Sequence, residues 1–287
     1  MSANCLILCS DRSHTFATLG AVHAYYIKGK LDGVKKYCCC GSAAAFALLL
    51  SCGLPPNQLS VALITTNIFE DAADTWQEVT QLLTQYFKRR NITVPTMQEL
   101  HDLTGVTLCI EVFNITKRRL EVISHVTHPM ISCITACCMA YSTPFTGRQS
   151  SYCGSEYIDS SLLYPVPHSS IICSDVPLCV YASPDLMSIS TFRSQYPTKD
   201  TTDKKTPWWP WRDPDSAATL CRLGQQSDRD VKSTSLMYQR LLQLAVQHGP
   251  ASVRYVRLLV NVPNTTASPE QRLLMLADWE DYVALAT

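Results

Sequence analysis

The sequence predicts an α/β protein with a mostly parallel central sheet flanked by helices. Two apolar strand patterns, at residues 5–9 and 34–39, are each followed by a helical stretch, and consecutive strand–helix units build parallel sheets. Of the 287 residues 46% are apolar, which is enough to bury a large core.

The predicted strands and helices alternate as far as Pro184. Turns at Asp32-Gly33 and Gly53 close the first two strand–helix units. Thr96 and Glu99 form a capping pattern at the start of a short helix, directly before a strong apolar strand. The strands are predicted at 5–9, 34–39, 61–65, 106–113, 120–124, 157–158 and 177–181, and the helices at 16–27, 42–53, 71–88, 96–104 and 129–141.

The chain divides into a sheet domain at residues 1–192 and a C-terminal α+β extension at 193–287, which we expect to pack on the first domain. The extension opens with a polar segment that carries the tryptophan cluster Trp208-Trp209-Pro210-Trp211. This cluster suits a lipid interface, a cap on the core, or a loop that binds a protein partner. A helix at 234–247, a strand at 253–262 and a helix from Ser268 are predicted after it.

Composition argues against several classes of function. The 24 basic and 24 acidic residues balance and no basic run exceeds three residues, so nucleic acid is not an expected partner. The 14 cysteines lie in runs such as Cys38-Cys39-Cys40 within apolar strands, where they pack as small buried residues. We therefore expect reduced cysteines and a cytoplasmic protein. Cysteine and histidine spacings match no metal site, so neither a metal nor an organic cofactor is expected.

Membrane contact is expected to be peripheral at most. No apolar stretch approaches the roughly 20 residues that span a bilayer. The apolar run at the N-terminus is also far shorter than a signal-peptide core. We therefore expect no transmembrane segment.

The strongest candidate for a reactive group is the turn Cys40-Gly41-Ser42-Ala43-Ala44, between an apolar strand and a wholly apolar helix. Many hydrolases expose a serine nucleophile at a tight strand-to-helix turn, where helix amides point at the hydroxyl. The usual elbow has glycine two residues before and after the serine, whereas this chain has Cys40 and Ala44. Ser42 is therefore either a nucleophile or an ordinary N-cap of the helix.

A serine nucleophile needs a base, and it needs donors for the oxyanion that develops. Asp159 lies at another boundary of strand and loop and is the candidate base, with a turn or capping role as its alternative. A polar loop follows the first strand, at the edge where parallel sheets form their binding crevice. The candidate oxyanion loop consists of Ser10, Asp11, Arg12, Ser13 and His14.

In this order the motifs resemble the patatin-like phospholipases. That family pairs a Gly-x-Ser-x-Gly elbow with an Asp-Gly-Gly/Ala motif and places its oxyanion donors in a Gly-Gly-Gly-x-Arg-Gly loop. The resemblance implies a patatin-like layered fold and a Ser-Asp dyad of Ser42 and Asp159, with no cofactor. It covers residues 5–184, with matches at 8–20, 36–45, 51–54, 95–105, 141–145 and 157–161.

Departures from the family pattern fall in the oxyanion loop. Ser10, Asp11 and Arg12 replace the three glycines, His14 replaces the arginine, and Thr15 the last glycine. Asp11 adds a negative charge beside the developing oxyanion unless Arg12 or His14 offsets it. Loss of one oxyanion donor costs about 2.7–4 kcal/mol, so these changes together predict a weak enzyme or none.

The register at the elbow has two solutions. Alignment backward from Gly53 puts Gly41 in the nucleophile position, and alignment forward from Tyr37 puts Ser42 there. We favour the forward register, because the strand fixes the turn and a missing residue is more easily absorbed at the far end of the helix.

The sequence therefore predicts a divergent lipid acyl hydrolase that cleaves a carboxylic ester of phospholipid or another acyl lipid. The alternative is an inactive patatin-like pseudoenzyme that binds lipid or protein. The altered loop favours this alternative, and the retained Ser42 and Asp159 oppose it. A structural or interaction protein outside the family is the third interpretation.

Overall fold

The computed structural model describes residues 3–8, 15–59, 75–142, 150–160, 177–184 and 254–260. These ranges contain one sheet and the helices packed on it. The strands are β1 (Cys5–Leu8), β2 (Lys36–Cys40), β3 (Thr107–Asn114), β4 (Arg119–Ile123), β5 (Ser150–Tyr152), β6 (Ser155–Asp159), β7 (Pro177–Pro184) and β8 (Arg254–Val260). The helices are α1 (Thr15–Ile27), α2 (Ala43–Ser51), α3 (Thr75–Arg89), α4 (Met97–Thr104) and α5 (Cys133–Tyr141).

The eight strands form a mixed sheet in the order β5-β6-β3-β2-β1-β7-β8, with β4 also paired to β3. Four neighbouring pairs in this order are parallel: β3–β2, β2–β1, β1–β7 and β7–β8. The remaining pairs, β3–β4, β3–β6 and β5–β6, are antiparallel. The predicted α/β class with a mostly parallel sheet is confirmed.

The two faces of the sheet differ in chemistry. Leu8, Ile110 and Val112 lie on one face and join the main apolar core with α2 and α5. The other face carries cysteines, because every second residue of a strand points the same way. Cys5 and Cys38 meet on that face with their Sγ atoms 3.8 Å apart. Within the described residues eleven cysteines are free thiols and nine of them are buried, as their position in apolar strands predicts.

Most predicted elements form, with two differences. Helix α5 begins at Cys133 rather than 129, because Ser132 caps it and its hydroxyl accepts the Thr135 N–H. The preceding loop instead supports α4, whose first residue Met97 donates its N–H to the Ile131 carbonyl. Strand β5 was not predicted, since its three polar residues, 150–152, are half-buried or exposed and carry little apolar signal.

The region after residue 192 contributes at least one strand to the sheet. The strand predicted at 253–262 forms as β8, which pairs with β7. The predicted strand at 61–65, the helix at 234–247, the helix from Ser268 and the tryptophan cluster lie outside the described residues. The domain boundary near residue 192 stays a prediction.

Strands β2 and β6 share one edge of β3, and this arrangement places the candidate site. Strand β4 occupies one edge of β3 at Ile110–Asn114. Strand β2 also pairs with β3 up to Glu111, and β6 pairs with it from Val112 onward. Because a strand has only two edges, β2 and β6 must lie on the edge opposite β4, with their carboxyl ends facing each other.

Candidate active site

The ends of β2 and β6 bring the candidate turn and the candidate base together. Cys40, the last residue of β2, pairs with Glu111, and Asp159, the last residue of β6, pairs with Val112. Consecutive residues of a strand are about 3.3 Å apart along its axis. Neither strand can continue past the other, so both chains leave the sheet at this point, β2 through the turn at Gly41.

The turn at Gly41 is sharp and short. Gly41 has a φ of 54°, a left-handed conformation that suits glycine. The next residue, Ser42, already has helical angles, with φ −61° and ψ −21°. The Ala44 N–H donates to the Gly41 carbonyl at 3.1 Å and starts the helix. The change from strand to helix therefore takes place at one residue.

Ser42 is fully buried, with 0% of its surface exposed. Within the described residues its side chain makes no hydrogen bond that caps α2. An N-cap serine normally has extended backbone angles and accepts an amide hydrogen from the first turn. Ser42 therefore occupies the N-cap position of α2 but does not cap the helix through its hydroxyl.

The far end of α2 is closed by a specific hydrogen-bonded cap. Gly53 has a φ of 78°. Its N–H donates to the Leu50 carbonyl at 2.9 Å, and the Leu54 N–H donates to the Leu49 carbonyl at 3.1 Å. These two bonds form a Schellman motif, which ends a helix at a defined residue. The spacing from Gly41 to Gly53 is therefore fixed at both ends.

Asp159 is 5% exposed and lies beside the turn. It pairs with Val112, whose side chain is part of the core that also contains α2, so Asp159 points to the face of the sheet that α2 covers. The partial positive charge at a helix N-terminus favours a carboxylate in this position. The following residue, Ser160, donates its hydroxyl to the Glu111 carbonyl at 2.9 Å, which fixes the chain where it leaves β6.

The end of α5 ties the turn to the strand that carries Asp159. The Tyr141 hydroxyl donates to the Ser42 carbonyl at 2.9 Å. The next residue, Ser142, accepts the Asp159 N–H on its carbonyl at 2.7 Å. Its hydroxyl donates to the Cys138 carbonyl at 3.0 Å and accepts the Ser150 N–H at 3.0 Å. Two consecutive residues thus hold both candidate groups in place.

Sequence reasoning missed the roles of Tyr141 and Glu111. Tyr141 opens the matched segment 141–145, but the pattern alone does not show which atom its hydroxyl reaches. Glu111 is 1% exposed and is the one acidic residue in the predicted strand 106–113. A single charge inside an apolar strand was the available signal. Glu111 and Val112 are consecutive residues of β3, so their side chains point to opposite faces of the sheet. Since Asp159 pairs with Val112, the Glu111 side chain points to the face opposite Asp159.

The thiol of Cys39, next to the turn, is a poor substitute nucleophile. Burial raises the pKa of Cys39 well above its usual value, and the charges of Cys109 and Glu111 raise it further. A nucleophilic cysteine requires the thiolate, which a low pKa favours. The pKa of Cys39 therefore disfavours this thiol as the nucleophile.

The predicted oxyanion loop, Ser10 to His14, lies outside the described residues. Its role stays a prediction. Among the residues the structure describes, no group of three His, Cys, Asp or Glu side chains can hold a metal ion. No helix in the same part of the chain is long and apolar enough to cross a membrane.

The chain is similar in structure to VipD from Legionella pneumophila, with a TM-score of 0.57 and 14% identity over 99% of this chain and 66% of VipD. It is also similar to ExoU of the Pseudomonas aeruginosa type III secretion system, in its complex with SpcU, with a TM-score of 0.41 and 12% identity over 85% of this chain and 53% of ExoU. A second ExoU structure gives a TM-score of 0.45 and 12% identity over 98% of this chain and 52% of ExoU.

No protein-family model matches the sequence, and no curated protein matches it. The chain spans just under two thirds of VipD and about half of ExoU. The VipD score is the highest of the three, and VipD has a patatin-like fold. The patatin-like fold predicted from the sequence is therefore confirmed.

Proposed function

We propose that this chain binds an acyl lipid at the edge of the sheet where β2 ends and does not hydrolyse it, so that it acts as a patatin-like pseudoenzyme. The observation that carries this proposal is the backbone conformation and burial of Ser42. It is fully buried, and its backbone already has helical angles one residue before α2 begins at Ala43. A serine held in this way is not presented to a substrate.

Nucleophilic attack requires contact between the hydroxyl and the ester. The serine Oγ must come within about 3–3.5 Å of the carbonyl carbon along an open approach. The backbone of Ser42 has helical angles, which do not aim its hydroxyl out of the turn as a nucleophile elbow does, and the bond from Tyr141 to the Ser42 carbonyl holds the residue in place. The replaced glycines of the loop at 10–15 argue in the same direction, since they remove features that the family uses to stabilise the oxyanion.

The class of ligand follows from the fold and from the position of the turn. Parallel sheets bind ligands at the carboxyl ends of their strands, where β2 ends here. The patatin-like fold of VipD supports an acyl lipid as the ligand, at the level of fold analogy. A peripheral membrane surface would supply such a lipid, and we keep a cytoplasmic location as part of this proposal.

Ester hydrolysis by Ser42 and Asp159 is the second candidate function. Two observations favour it: Asp159 lies next to the turn, and Ser42 is not used as a helix cap. In this mechanism the Ser42 Oγ attacks the acyl carbonyl and its proton passes to Asp159. The leaving alcohol takes that proton, and water then hydrolyses the acyl-enzyme with Asp159 as base. Amides of Ser10 to His14 would hold the oxyanion.

Two measurements on the folded wild-type chain test the proposal. Phosphatidylcholine with a diazirine in one acyl chain should crosslink to peptides that contain residues 37–46 or 155–160. The same protein should release no fatty acid from phosphatidylcholine vesicles. Crosslinks confined to other peptides would refute the binding site, and fatty-acid release that Ser42→Ala abolishes would establish the second candidate instead.

A further inference from the structure

We infer that Gly41, not Ser42, occupies the place of the nucleophile in this turn, so that the reactive position has lost its side chain. This inference rests on the proposed lack of hydrolysis and explains it by one residue. It also replaces the forward register favoured from the sequence with the backward register that starts at Gly53.

The backbone angles identify the elbow residue. In a nucleophile elbow the reactive residue sits at the strained step between the last strand residue and the first helical residue. Here Cys40 is still paired in the sheet and Ser42 is already helical. Gly41 lies between them with φ 54°, so the strained position belongs to Gly41.

The ends of the two flanking elements favour the backward register. At the start, pairing of Cys40 with Glu111 fixes the last strand residue. At the far end, the Schellman motif fixes Gly53 as the residue that ends α2. The forward register needs a helix one residue shorter, whereas the backward register counts from Gly53, which the hydrogen-bonded cap identifies as the residue that ends α2.

The candidate base is held in position next to the turn. Asp159 ends β6 against the end of β2, and its N–H is held by the Ser142 carbonyl. A hydroxyl introduced at residue 41 would therefore stand beside a carboxylate that is already fixed. In Gly41→Ser, the new Oγ would attack the phosphorus of a fluorophosphonate, form a P–O bond and expel fluoride, while Asp159 takes the hydroxyl proton.

The test compares wild type, Ser42→Ala, Gly41→Ser and Gly41→Ser/Asp159→Asn after exposure to an alkyl fluorophosphonate probe. We expect no adduct on wild type or Ser42→Ala, and an adduct on residue 41 of Gly41→Ser, located by peptide fragmentation. The added Asp159→Asn change should slow labelling at least tenfold. Labelling of Ser42 in wild type would overturn both this inference and the proposed function. A folded Gly41→Ser chain without an adduct would overturn the inference alone.

Stability provides a second measurement that does not depend on labelling. An L-residue is strained at a φ of 54°, whereas Ser42 has ordinary helical angles. Gly41→Ala should therefore lower the urea midpoint, Gly41→Asn should lower it less, and Ser42→Ala should change it least. Equal midpoints for Gly41→Ala and wild type would overturn the assignment of the elbow to Gly41, even if Gly41→Ser fails to fold.

Discussion

The bond from Tyr141 to the turn gives the sharpest prediction for stability. The Tyr141 hydroxyl donates to the Ser42 carbonyl at 2.9 Å, and the two residues are 5% and 0% exposed. Tyr141→Phe removes the donor and keeps the ring. Loss of one partner from a buried carbonyl costs about 1–3 kcal/mol, so we expect a loss of unfolding free energy of about 1–2 kcal/mol.

The matched control is Tyr86→Phe. The Tyr86 hydroxyl is also buried, but in the described part of the chain it has no hydrogen-bond partner. Its ring contacts with Phe87 and Arg90 do not need the hydroxyl. Removal of this oxygen should be neutral or slightly stabilising, because a polar atom without a partner is costly to bury.

Urea denaturation of the two variants and wild type, followed by circular dichroism, measures the difference. At about 2–4 °C per kcal/mol for a chain of this size, Tyr141→Phe should also melt about 2–8 °C below wild type. Tyr86→Phe should melt at the wild-type temperature or above it. If the two variants lose the same stability, Tyr141 does not hold the turn.

Three further predictions concern groups away from the turn. Burial raises the pKa of Glu121, but hydrogen bonds from Asn114, Arg119 and Lys117 outweigh it and the net pKa is lowered, so the chain should lose stability as pH falls below about 4.5. Glu121→Gln should flatten that loss in acid unfolding curves, and an unchanged curve would contradict this role of Glu121. Thr96→Ala breaks the capping box in which Thr96 accepts the Glu99 N–H, which should cost about 0.5–2 kcal/mol in urea titration; no loss would show that the box does not stabilise α4. Gly53→Ala meets no atom within 4 Å of the added Cβ, so its cost of about 1–2 kcal/mol should come from the backbone alone, and Gly53→Asn should recover part of it.

Local sequence patterns predicted most of the described fold. The first two strand–helix units, the Thr96–Glu99 cap and the strands at 106–113 and 120–124 depend on neighbouring residues, and all of them form, the two strands as the antiparallel pair β3–β4. Strand β5 and the start of α5 depend on partners far along the chain, which no local pattern contains. The same holds for the meeting of β2 and β6, since it follows from how three strands share β3.

In the candidate site, too, local patterns predicted the residues but not the contacts between distant parts of the chain. The sequence predicted Ser42 and Asp159 as candidates, and the structure places the carboxyl ends of β2 and β6 end to end on one edge of β3. The sequence did not decide the elbow register, because that choice depends on the φ of Gly41 and on the cap at Gly53. The bond from Tyr141 was also out of reach, because it joins residues 99 positions apart.

The mass of the folded wild-type chain after exposure to a fluorophosphonate tests the central claim most directly. The claim is that Ser42 is a buried helical residue and not a nucleophile. The account predicts an unchanged mass at probe concentrations that fully label an active serine hydrolase in the same tube. A mass increase of one probe adduct, located on Ser42 and absent from Ser42→Ala, would contradict it.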